Sequence, residues 1–68
     1  MKKHLFRVLE DGEEIWRGEA ANEEMALETA LGEETSNLTY EIQAWGDKKI
    51  SGSMKMKDWV FCWRGKID

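Results

Sequence analysis

Apolar positions recur along this chain in two rhythms, one helical and the others strand-like. The helical stretch is Ala21-Asn22-Glu23-Glu24-Met25-Ala26-Leu27-Glu28-Thr29-Ala30-Leu31-Gly32. Ala26, Leu27, Ala30 and Leu31 share one face, a stripe that suits packing on a sheet. Asn22 can cap the first turn by accepting from an orphan N–H. Glu23 and Glu24 place negative charge where the helix macrodipole favours it. Gly32 can take the left-handed conformation that ends a helix. Met25 and Thr29 fall on the face turned away from the sheet.

The strand rhythm begins at His4 and runs to Glu10, with Phe6 and Val8 on one side and Leu5, Arg7 and Leu9 on the other. Asp11-Gly12 signals a tight hairpin turn with positive φ at both central residues. A second strand follows from Glu13 to about Glu19. In that register Leu9 faces Glu14, Val8 faces Ile15 and Arg7 faces Trp16. Ile15 then joins Phe6 and Val8, while Trp16 joins Leu5 and Leu9 on the opposite face. After the helix and a polar loop at 33–37, Leu38 to Trp45 alternates as a third strand. Leu38, Tyr40, Ile42 and Ala44 point inward, and Thr39, Glu41, Gln43 and Trp45 outward.

A turn at Gly46-Asp47-Lys48 would lead into a fourth strand, Lys49 to Met56. Ile50, Gly52, Met54 and Met56 then face inward, with Lys49, Ser51, Ser53 and Lys55 in water. Lys57-Asp58 would turn the chain into a fifth strand, Trp59 to Arg64. There Trp59, Phe61 and Trp63 lie against Met56, Met54 and Gly52, and Val60 and Cys62 face outward. Residues 65–68 are expected to fray. Strands one and five are apolar on both faces, which marks central strands. The expectation is a single α+β domain over residues 1–68, of ββαβββ pattern. Its five-stranded antiparallel sheet has the order 2-1-5-4-3, and the one helix packs on one face.

Length sharpens this picture. A chain of 68 residues buries only about 60% of its unfolded surface, so large aromatics must supply much of the core, and four tryptophans suit that need. The single cysteine, Cys62, excludes an internal disulfide and, with His4 the only histidine, argues against an all-protein zinc site. A reducing cytoplasm is the compartment this implies. No apolar run is long enough for a signal peptide or a membrane span.

No catalytic constellation is present: there is no G-x-S-x-G, P-loop, CxxC or HExxH pattern, and no carboxylates at calcium-loop spacing. His4 and Cys62 could form a thiolate pair only if strands one and five are neighbours. Packing for Cys62 and a solvated strand start for His4 weigh more heavily. The reading is a non-enzyme with no cofactor and no metal. The outer sheet face offers more. Leu5, Leu9, Trp16, Val60 and Cys62, with Trp45 toward one edge, make an apolar patch that no second helix covers, and such patches mark association sites.

Trp16, Leu9 and Arg7 are the candidate anchors of a protein contact, Trp and Arg being favoured at interface hot spots. The acidic hairpin of Glu10, Asp11, Glu13 and Glu14 could steer the chain toward basic surfaces. The expected partner is a host protein or protein complex. The alternative is a homodimer through the helix-free face. Lys48, Lys49, Lys55 and Lys57 with Trp45 could form a single-stranded nucleic-acid platform. The net charge of −4 and the lack of an arginine-rich stripe argue against nucleic acid.

A small, proline-free ββαβββ chain rich in Trp and Glu resembles many phage and mobile-element accessory proteins. One run passes from Glu19-Ala20-Ala21 through the Ala26 and Ala30 helix to Leu38-Thr39-Tyr40-Glu41-Ile42 and Asp58-Trp59-Val60-Phe61-Cys62. It is similar in order to a small type I anti-CRISPR group. The resemblance implies a sheet with one helix that binds a crRNA-guided Cas surveillance complex in a bacterial host cell and blocks its engagement with DNA. The lysine contact residues of that group have no matching position here.

Overall fold

Two hairpins and one helix account for most of residues 3–32 and 38–66, which the computed structural model describes. The elements are β1 (His4–Glu10), β2 (Glu13–Ala20), α1 (Glu23–Leu31), β3 (Thr39–Ser51) and β4 (Met54–Lys66). They form an α+β domain with a four-stranded antiparallel sheet in the order β2-β1-β3-β4. Because β2 and β3 both run antiparallel to β1, they point the same way, and α1 makes the crossover that parallel strands require. The loop expected at 33–37 lies outside the described residues.

The first hairpin turns at Asp11 (φ 50°) and Gly12 (φ 87°), as the Asp-Gly pair implies. The turn is tied to β3 by the Asp11 N–H donating to the Thr39 carbonyl at 2.8 Å and by the Tyr40 hydroxyl donating to Glu10 at 2.9 Å. The helix is capped as its sequence suggests: the Met25 N–H donates to the Asn22 side-chain oxygen at 2.9 Å, and Gly32 closes it at φ 61°. Ala26 is fully buried, with Leu27, Ala30 and Leu31 packed around it.

The core is small. Phe6, Val8, Ala20, Ala26, Tyr40 and Ile42 are its buried members. Trp16, Leu38, Ala44, Cys62 and Trp63 pack against it. Each fully buried aliphatic contributes roughly 1.5–3 kcal/mol relative to exposure.

The five-strand order 2-1-5-4-3 gives way to four strands, because no turn forms at Gly46-Asp47-Lys48 or at Lys57-Asp58. Instead β3 runs on to Ser51, and the chain reverses at Gly52-Ser53, with Gly52 at φ 55°. β3, not the C-terminal strand, is the neighbour of β1. In β2 the register shifts between Val8 and Leu9, so Val8 faces Trp16 and Ile15 is the extra residue. This bulge rotates Trp16 to the helix side and leaves Ile15 exposed. A second shift, between Ile42 and Gln43, brings Ile42 opposite Trp63 but Gln43 opposite Phe61. Trp63 therefore packs against the core, while Phe61 and Trp59 stand on the helix-free face.

β1 pairs with β3 only as far as Phe6 opposite Ala44. Beyond Trp45 and Trp59 the second hairpin continues alone, a two-stranded arm roughly 20 Å long at 3.3 Å per residue. Ile50, Met54 and Met56, expected inside, are all exposed on it. The arm lengthens the molecule to 41 × 27 × 15 Å with a radius of gyration of 12.8 Å, against about 11 Å for a compact chain of this length.

Candidate functional site: the helix-free face of the sheet

Strand alternation and the two register shifts decide what stands on the uncovered side. Arg7 lies between Arg17 on β2 and Gln43 on β3, and Gln43 lies opposite Phe61 on β4. One rung away, Trp45 faces Trp59. Their rings meet edge to face with centroids 5.3 Å apart, an arrangement that aromatic quadrupoles favour. The Arg7 guanidinium carbon sits 4.7 Å from the centroid of the Trp59 ring and that of Arg17 5.2 Å from it. Trp59 thus reaches across β3 to the first hairpin and holds two cations against its ring.

Glu14 makes that crowding of positive charge tolerable. Its carboxylate accepts from Arg17 at 2.8 and 3.1 Å and lies 3.6 Å from Arg7. Arg7 also donates to the Gln43 side-chain oxygen at 2.6 Å, and the Gln43 amide donates to Glu41. A continuous polar chain, Glu41–Gln43–Arg7–Glu14–Arg17, therefore crosses three strands. The rings left open around it are Phe61, 59% exposed, and Trp45, 43% exposed.

Of the anchors inferred from sequence, Arg7, Glu14 and Trp45 come together on this face. Leu5 and Leu9 flank Arg7 on the same side of β1, half-buried. Glu13 is exposed opposite Glu10 at the hairpin end. Trp16 is not on this face. Its place is taken by Trp59 and Phe61, which the sequence reading had put inside. Arg17 and Gln43 complete the set. The directly opposed pair Asp47 and Lys57, with the diagonal pair Lys48 and Asp58 beside it, signals the true register with the turn at Gly52-Ser53.

The helix side offers less. A cleft of about 230 Å³ opens between Glu23, Glu24, Leu27, Ile42 and Trp63. Cys62 lies nearby, half-buried, and its thiol is pushed above its ordinary value by burial first and by the Glu23 carboxylate second, with a backbone hydrogen bond from Ala44 working the other way. His4, whose ring lies 6.3 Å from Phe6, is on β1, and β3 separates it from Cys62. Among the described residues no three His, Cys, Asp or Glu side chains converge to hold a metal ion, and no helix is long and apolar enough to cross a membrane.

Fold and face together define a small α+β domain that presents an uncovered sheet face of arginine, tryptophan and phenylalanine. No family model, curated protein or solved structure matches the chain.

Proposed function

We propose that this chain is a non-catalytic protein-binding module that acts by covering a surface of a larger complex, with the helix-free face as its contact. The observation that carries the reading is the exposure of Phe61 and Trp45 beside Trp59, Arg7 and Arg17. Aromatic and arginine side chains are the groups that dominate interface energetics. Arg7 and Arg17 are already held by Glu14, Gln43 and the Trp59 ring. Less side-chain freedom is then lost when a partner closes over them. The exposed acid at Asp11, Glu13 and Glu14 would draw the hairpin toward a basic surface and speed encounter.

The finer form of the proposal follows the anti-CRISPR resemblance: a phage-encoded inhibitor in a bacterial cell that occludes a nucleic-acid-guided defence complex. Its test is the plating efficiency of phage on a CRISPR-immune host that expresses the chain. Plaques should rise with the native chain and with Met25→Ser, and fall back with Phe61→Ser combined with Trp45→Ser. Plaque numbers that never rise, or that rise equally with the double variant, would count against it.

A further inference from the structure

We propose that the outer side of the β3–β4 arm is a binding site for single-stranded nucleic acid, with Lys49 and Lys55 as its phosphate contacts and Trp45 as its base-stacking platform. Lys49 and Lys55 are directly opposed across the hairpin. Like charges in that position destabilise a strand pair. The other two lysines of the arm are each matched: Lys57 lies 3.0 Å from Asp47 and Lys48 lies 3.8 Å from Asp58. Among the described residues, no carboxylate answers Lys49 or Lys55. The arm therefore holds two unneutralised cations side by side, and an anion from outside would relieve their repulsion.

The rungs below supply the rest of such a site. Alternation places Lys49 and Lys55, then Asp47 and Lys57, then Trp45 and Trp59, then Gln43 and Phe61 on one face, at roughly 6.8 Å per rung. Trp45 and Phe61 offer exposed rings along this column, and Arg7 and Arg17 add charge beside Trp59. The arginines that the sequence did not place together are brought together here by the sheet. The acid on this face is engaged, Asp47 with Lys57 and Glu14 with Arg7 and Arg17, while Asp11 and Glu13 lie at the far hairpin end and Glu23, Glu24 and Glu28 on the helix. Net charge thus says little about this column.

Exposed rings beside cations suit a strand whose bases are free to stack. In a duplex the bases are already stacked on one another and present no face. The site shares Trp45 with the protein-binding face but not its phosphate contacts, which lie on the arm, beyond Phe61 and the body of the sheet.

Fluorescence anisotropy of the intact chain with a labelled oligothymidylate of about twelve nucleotides tests it. Binding is expected at about 50 mM salt and should weaken about sevenfold by about 200 mM, from two phosphate contacts. Lys49→Ser with Lys55→Ser should lower affinity at least tenfold. It should also flatten the slope of log K against log salt by about 1.4, since each single-strand phosphate contact contributes about 0.7. Trp45→Ala should lower affinity about tenfold without changing that slope, and Met25→Ser should change neither. Absence of binding at low salt would overturn the proposal. So would affinity indifferent to the lysine pair, or equal competition by duplex DNA or polyglutamate. Loss of oligothymidylate affinity in the lysine-pair variant with phage protection intact would support the site, and so would oligothymidylate binding by a chain that gives no protection, which would count against the protein-binding reading alone.

Discussion

In Trp16-Arg17-Gly18, and again in Trp63-Arg64-Gly65, the indole lies over the glycine two residues on, on the same side of its own strand. A Cβ at Gly18 would come within 2.7 Å of the Trp16 ring, and one at Gly65 within 2.6 Å of the Trp63 ring. Both tryptophans pack against the core, so neither ring can move aside without disturbing it. Gly18→Ala and Gly65→Ala should each destabilise the fold by about 1–3 kcal/mol in urea unfolding. Gly46→Ala, where a Cβ meets nothing within 4 Å, should stay within about 0.5 kcal/mol of the native chain. The Trp-x-Gly spacing stands in the sequence, since residues two apart share a strand face, although the sequence reading sets Gly52 rather than Gly65 against Trp63. The bulge at Ile15 that aims Trp16 at the helix side was not legible there, because a single extra residue leaves no mark in an alternating pattern. Cys62 gives a pH prediction. Its thiol is held above its usual value, so folding favours the protonated form. That contribution is complete below the unfolded thiol's pKa and is lost as pH rises through the higher folded value. Iodoacetamide should accordingly modify native Cys62 more slowly at neutral pH than the urea-unfolded chain, with the rate gaining at alkaline pH.

Among the elements, the helix and the first hairpin were readable because their signals are local: an Asn cap, glycine at the helix end, and Asp-Gly in the turn. The second hairpin was misread for a physical reason. Ile50, Met54 and Met56 alternate with lysine and serine as a buried strand would. Among the described residues no element covers them. Charge gives the better guide to register there. Asp47 with Lys57 is a direct cross-strand pair at 3.0 Å, though both side chains are largely exposed. Reversing one member, Asp47→Lys, should therefore lower stability by only about 0.2–1 kcal/mol, and the compensating Lys57→Asp should restore it. A double-mutant cycle by thermal unfolding would read the coupling. No core residue lies beyond Trp45 on the arm. A chain in which an Asn-Gly turn replaces residues 47–57 should therefore keep the four-stranded fold by circular dichroism while losing affinity for oligothymidylate.

At the scale of the whole molecule, the six residues buried among those described make a thin core, and the stability of a 68-residue chain should total about 3–10 kcal/mol. Ile42→Ala removes a side chain at the centre of the sheet and should cost about 2–5 kcal/mol in urea unfolding, a large share of that total. The helix-free face has no such layer, yet its rings are not loose: Trp59 is fixed by Trp45, Arg7 and Arg17. This division of four tryptophans, two toward the helix and two on the open face, is the central claim. Hydroxyl-radical footprinting with residue-level mass spectrometry of the native chain measures it most directly. Relative to the unfolded chain, Trp45 and Phe61 should be modified readily, and Trp16 and Trp63 should be protected. Trp16 modified as readily as Trp45, or Phe61 protected as well as Trp63, would contradict the account.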